Sequence, residues 1–226
     1  MNIFFVHSCP FKAAKDLPDK LVVKMPLEMA QLLCTAHRVI DSPDNEGFER
    51  TAVDHEQLYK KTHQNHPCAV WVRGRASSYS WAYSHLQGLL DEYQYRYGRK
   101  HKIRVDGLEE LLRALPHHME DTGAPLSLHD APVCMPDEFK LSPYHPEGIC
   151  LQSSYQNYLS NGKSYTLYGE GYMRCPDGVP IWMRAWQRLW SMKRSLLELQ
   201  QRCDDQEGNL FELTSRMMLR TKRGAW

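Results

Sequence analysis

The amino-acid sequence predicts a mostly α-helical fold: one helical bundle over residues 1–202, with a short extended segment at its start and long loops, then a basic tail over 203–226. Three observations carry that reading. Apolar residues recur at helical spacing over 18–40, 77–97 and 181–201. Proline and glycine stand where helices begin and end, at Pro18, Pro67, Gly98 and Pro116. A chain of 226 residues, 42% of them apolar, can build one good hydrophobic core or at most two small ones.

Taken in order, NIFFV (2–6) reads as a short buried strand or an extended arm. A helix follows over 18–40, with Pro18 at its first position and Pro26 expected to kink or restart it, because proline has no amide hydrogen to give Val22. DSPDNEGFER (41–50) is a loop composition. Pro67 opens a short helix over 68–75 with His66 at its cap, and a long helix over 77–97 stops at Gly98. A further short helix over 108–115 stops at Pro116. Residues 116–148, rich in Pro, Gly, Asp and His, read as a long wrapping loop. A short helix is expected over 153–159, a weak hairpin over 164–180, and a helix over 181–201 with Trp182, Trp186 and Trp190 along one face.

Total charge, 28 Lys and Arg against 27 Asp and Glu, says nothing about partners. Its distribution says more. Residues 71–104 hold seven basic and two acidic side chains, 105–140 two and eight, and 184–226 nine and five. Two basic segments flanking an acidic one permit a basic face. The seven cysteines are odd in number and show no C-x-x-C spacing, so a disulfide framework is not expected and a reducing, cytoplasmic setting is. MNIFFVHSCPFK lacks the basic start of a signal peptide, and no apolar run reaches the roughly 18 residues of a membrane span.

The helix over 18–40 carries its polar residues in an unusual place. Lys20, Lys24, Glu28, Gln31, Thr35 and Arg38 share a stripe roughly 80° wide at 100° per residue, and apolar side chains fill the remaining arc. A surface helix has the reverse proportions. Either this is an edge helix laced by i,i+4 pairs such as Lys24–Glu28, or the stripe is the floor of a cleft, where a carboxylate has a tuned acidity.

A second constellation, THQNHPC, sets Thr62, His63, Asn65, His66 and Cys68 at the start of a helix, followed by Arg73 and Arg75. Helix-start amides with hydroxyl, amide and imidazole groups suit an anion, and ordinary capping by Asn65 or His66 suits the same residues. His63, His66 and Cys68 are also metal-ligand types, but without a second ligand cluster they make no zinc motif. No metal or other cofactor is therefore expected. The aromatic helix ends in Arg99, Lys100, His101 and Lys102, a mixture that fits phosphate contact with base stacking, or core packing with a basic end. CMPDEFK (134–140) places Asp137 and Glu138 at the end of the long loop, as a turn cap or as a second cleft acid.

Together, DKLVVKMPLEMAQLLCTA (19–36), THQNHPCAVW (62–71), EYQYRYGRKHK (92–102) and MPDEFK (135–140) resemble a phage and bacterial family of helical DNA glycosylase-like proteins. That family is similar to phage pyrimidine-dimer glycosylases of the endonuclease V type, and more distantly to phage amino acid:DNA transferases. The resemblance implies a DNA N-glycosylase that removes a damaged or phage-modified pyrimidine from duplex DNA, with the target base flipped out, and leaves an abasic site. It implies Glu28 or Asp137 as the carboxylate that stabilises the sugar cation and activates water. Lys20 and Lys24 would hold phosphate or the departing base, with Lys24 also a candidate amine nucleophile. Gln31, Thr62, His63, Asn65 and His66 would bind base edges or phosphate, and Arg73, Arg99, Lys100 and Lys102 the backbone. Dimer glycosylases attack with an N-terminal amine exposed by methionine removal. Asn2 is too large for the usual removal, which points to hydrolysis by water instead. Two other readings stand: a group transferase hypermodifying pyrimidines in phage DNA, and a non-catalytic DNA-binding module.

Overall fold

The computed structural model describes residues 1–42, 53–141, 150–163, 174–175, 177–184, 188, 192 and 195–202. The fold is mostly helical, and no strand occurs among the described residues. Two compact units divide the chain, Met1–Pro180 and Ile181–Trp226. In the first, α1 (Pro10–Lys15), α2 (Asp19–Ile40), α3 (Pro67–Gly74) and α4 (Ala76–Tyr97) pack together; α5 (Lys102–Val105), α6 (Leu108–Leu111) and α7 (Leu151–Asn157) follow. In the second, residues 181–184 and 195–202 are helical. The side chains of Trp186 and Trp190, the body of the expected hairpin, and the expected tail at 203–226 lie outside the described residues.

Residues 2–6 form an extended arm rather than a strand. Ile3, Phe4, Phe5 and Val6 are all buried. Phe5 is seated among Trp71, Trp81 and Tyr155, at ring-centroid distances of 5.1, 5.0 and 5.7 Å. Burying such a ring contributes about 1.5–3 kcal/mol, so the arm is part of the core. It makes no sheet ladder. Instead Gln156 donates to Val6 O at 2.9 Å, and the Asn2 side chain donates to Cys134 O at 2.8 Å.

Pro18 caps α2 rather than opening it, and the helix runs through Pro26 as one element from Asp19 to Ile40. From Met29 to His37 every residue but Gln31 is buried. Over its first two turns the helix is open: Val23 and Leu27 are exposed beside Lys20 and Lys24. The apolar arc is thus not sunk throughout, as the sequence pattern alone suggests.

The tight packing of α1 on α4 needs Gly88, where an added Cβ would lie 3.0 Å from Ala14 Cβ and 3.1 Å from Phe11 Cα. The α1 helix was not expected from the sequence; at six residues it shows too little period to read. Helix α4 ends at Gly98, whose φ of 67° is the left-handed cap conformation that glycine adopts freely. The loop after Pro116 is irregular, with short 3-10 turns at Leu128–Asp130 and Asp137–Phe139.

Two buried polar nodes tie these elements. The Arg96 guanidinium, with no exposed side-chain surface, meets Asp19 at 3.1 Å and Glu92 at 3.0 Å, and donates to Leu17 O and Lys15 O. Asp41, fully buried, accepts from the His117 and His118 amides at 2.9 and 3.0 Å and so fastens the start of the long loop to the end of α2.

Candidate functional site

The polar stripe of α2 divides into three parts. At its far end Arg38 donates to the carbonyls of His55, Leu58 and Tyr59, and Thr35 exchanges hydrogen bonds with the Thr62 backbone. Those two residues anchor the segment 55–62. At the near end Lys20 and Lys24 are exposed. Between them, Gln31 is half-buried and the Glu28 side chain retains 14% of its surface. Glu28 pairs with Lys24 at 2.8 Å and accepts from the Asn2 amide at 3.4 Å.

Around Asn2 three distant pieces of sequence converge. His66 caps α3, its Nδ1 accepting from the Cys68 amide at 3.2 Å. That bond uses one of the helix-start amides otherwise available to an anion. Cys68 lies in the first turn of α3, and Cys134 reaches it from the long loop, with the two sulfurs 3.8 Å apart. Asn2 Oδ1 is 3.7 Å from Cys68 Sγ and 3.2 Å from the Tyr155 hydroxyl, which in turn accepts from the Cys134 amide at 3.1 Å. The ligand atoms of His66, Cys68 and Cys134 all lie within 4.8 Å of one another.

Burial lowers the His66 pKa below its ordinary value, which favours the neutral ring. The hydrogen bond between the thiols raises that of Cys68 and lowers that of Cys134 to about 7. Cys134 is therefore the thiol that ionises first, and Cys68 keeps its proton. An imidazole and two thiols so placed are groups suited to a proton or a cation.

The remaining predicted residues are spread over the surface. Asp137 is 94% exposed and bound to Lys140 at 2.6 Å, facing solvent rather than a cleft. Thr62 Oγ1 bonds His63 Nδ1 at 2.7 Å; His63 takes a φ of 47°, and His63 and Asn65 are exposed. Arg73 donates to Gln64 O at 2.5 Å. Arg99 donates to the Tyr93 hydroxyl at 3.2 Å, Lys100 is exposed, and Lys102 stands 3.9 Å from Asp106. Of the aromatic stretch, Tyr79, Trp81 and Tyr93 are buried in the core, while Tyr95 is exposed.

A cavity of about 420 Å³ lies between the end of α3 and the long loop, lined by Arg73, Arg75, His118 and Glu120 among others. It shares no residue with the Asn2 cluster.

Sequence reasoning singled out Glu28, His66 and Cys68 but not Asn2, Cys134 and Tyr155, which the structure places around them. Cys134 adjoins the MPDEFK motif, yet its 66-residue separation from Cys68 follows no ligand spacing. No protein-family model, curated protein or solved structure matches this chain.

Proposed function

We propose that the protein is a helical DNA N-glycosylase that excises a damaged or phage-modified pyrimidine from duplex DNA. The observation that carries this reading is Glu28: a carboxylate 14% exposed, fixed by Lys24 and by the Asn2 amide, at the middle of the polar stripe of α2. Breaking a base–sugar bond develops positive charge on the sugar, which a positioned carboxylate stabilises while it takes a proton from the attacking water. The lower exposure of Glu28 favours it over Asp137, which is largely in water and paired with Lys140. The Lys24 ammonium, two-thirds exposed and held by Glu28, has a pairing role, and water is the attacking group.

The flipped base would approach over Lys20, Lys24 and Gln31, with His63, Asn65 and His66 at its edge. Arg73, Arg99, Lys100 and Lys102 would contact backbone phosphates. The test is incubation with unmodified, ultraviolet-irradiated and naturally modified phage DNAs, with mass analysis of released bases. Release of a pyrimidine by the native chain and its loss in Glu28→Gln are expected. Absence of a free base from every DNA would sink the proposal. Borohydride trapping of the enzyme on DNA, abolished by Lys24→Met, would replace water with Lys24 as the nucleophile.

A further inference from the structure

The hydrolysis proposed for Glu28 leaves the neighbouring sulfurs without a task, and their geometry is specific. Two sulfurs each about 2.3 Å from one zinc ion at the tetrahedral angle lie about 3.8 Å apart. Cys68 and Cys134 stand at 3.8 Å. A disulfide needs about 2.05 Å, so the two are unbonded thiols already spanning one edge of such a tetrahedron. A sulfur–oxygen edge built from zinc bonds of about 2.3 and 2.1 Å measures about 3.6 Å, and Asn2 Oδ1 lies 3.7 Å from Cys68 Sγ. The His66 nitrogen completes a group whose ligand atoms are all within 4.8 Å of each other.

The supports are hydrogen-bonded. Cys68 sits in α3 and His66 at its cap, while the Cys134 backbone is held by the Asn2 side chain at 2.8 Å and the Tyr155 hydroxyl at 3.1 Å. Hydrogen-bonded backing of this kind orients metal ligands. Two thiolates and an imidazole select a soft or borderline ion and reject magnesium and calcium, which take oxygen.

We propose that His66, Cys68 and Cys134 bind one zinc ion per chain, with the fourth corner on the Asn2 side. Binding displaces the two thiol protons to solvent; the neutral His66 ring has one lone pair, so it gives up the Cys68 amide bond at Nδ1 to become the third ligand, and nothing is oxidised or reduced. Three protein ligands with a weak or exchangeable fourth is the pattern of sites where zinc meets a water or substrate. The proposal does not depend on base excision, and its readouts do not use it.

The test takes the untagged chain, purified under reducing conditions, dialysed against zinc and then against metal-free buffer. Elemental analysis is expected to give one zinc per chain, falling at least tenfold in Cys134→Ser and in His66→Ala. Cobalt substitution is expected to give sulfur-to-cobalt charge-transfer absorption that drops by about half in Cys134→Ser, as one of two thiolates is lost. Cys150→Ser, at a cysteine outside the cluster, should keep both signals. Cys68 is fully buried, so the partly exposed Cys134 and His66 supply the deciding variants. Zinc-free reduced protein, a cobalt complex without charge transfer, or full retention of zinc by Cys134→Ser would each overturn the site. Recovery of a Cys68–Cys134 disulfide with no metal bound after reduction would do the same.

Discussion

Two polar clusters, Arg96 with its partners and Glu28 with its neighbours, are built from the same kinds of residue yet stand in opposite conditions. Arg96 has no exposed side-chain surface and spends its donors on Asp19, Glu92, Leu17 O and Lys15 O. Glu28 keeps an open side, and the Asn2 amide 3.4 Å from it leads to a carboxamide oxygen and two thiols joined by long, weak contacts of 3.7 and 3.8 Å. Hydrogen-bonding capacity that is fully used holds a fold together. Capacity left over, at the edge of the same core, is what a ligand can take.

Perturbing each side of this contrast should separate stability from activity, and the largest loss of stability is expected at Arg96. Arg96→Ala would leave two carboxylates and two carbonyls without their partner, at a cost of about 3–5 kcal/mol. Urea unfolding should place its midpoint far below that of the native chain, and a loss under about 1 kcal/mol would mean the node is not structural.

Acid comes next. Burial holds His37 and His85 at pKa values of about 4, below the ordinary 6.5. The unfolded chain therefore takes up these protons first, and stability falls as pH drops from 6.5 to 4, by up to about 3 kcal/mol for each histidine. The Asp41 carboxylate, 3.8 Å from His37 Nδ1, opposes this shift without reversing it. Unfolding midpoints measured across that window should slope upward with pH; a flat profile would contradict the buried neutral rings.

Glu28→Gln should change stability by less than about 1 kcal/mol, because its ion-pair partner Lys24 is largely in water. Base release should nevertheless fall by at least about a hundredfold. Native activity in that variant would place the chemistry elsewhere. The smallest effect on stability is expected for Lys102→Ala, whose exposed contact to Asp106 is worth about 0–0.5 kcal/mol. Its signature should be in DNA binding instead, as a salt slope shallower by about 1 if Lys102 neutralises one phosphate. An unchanged slope would remove Lys102 from the interface.

Much of the helical order was readable in the sequence, because its signals are local. Pro67 with His66 as cap and Gly98 as stop fix α3 and the end of α4 to within a residue or two. The stripe on α2 was readable as a pattern but not as a role. Thr35 and Arg38 are committed to the backbone of 55–62, Glu28 is not, and spacing cannot separate them, since their partners lie in another part of the chain. The same holds for Glu92 and Arg96, which sit in the EYQYRYG motif and are structural. The Cys68–Cys134 pair was invisible for the corresponding reason, being a contact between residues 66 positions apart. The N-terminal arm was legible as buried, but what covers it was not.

That arm has a consequence for how the molecule is made. Residues 3–6 are synthesised well before Tyr155, which packs on Phe4 and Phe5, and Gln156, which binds Val6 O, both about 150 residues later. Closing so long a loop is slow compared with winding helices. The nascent chain must therefore carry two phenylalanines incompletely covered through most of its synthesis. A fragment ending at residue 150 is expected to bind a hydrophobic dye and to be cut rapidly by protease near the arm, whereas the whole chain resists both. Equal protection of the arm in that fragment would show that the helices alone suffice to cover it. Helix α7, which carries Tyr155 and Gln156, is the element that completes the arm's cover.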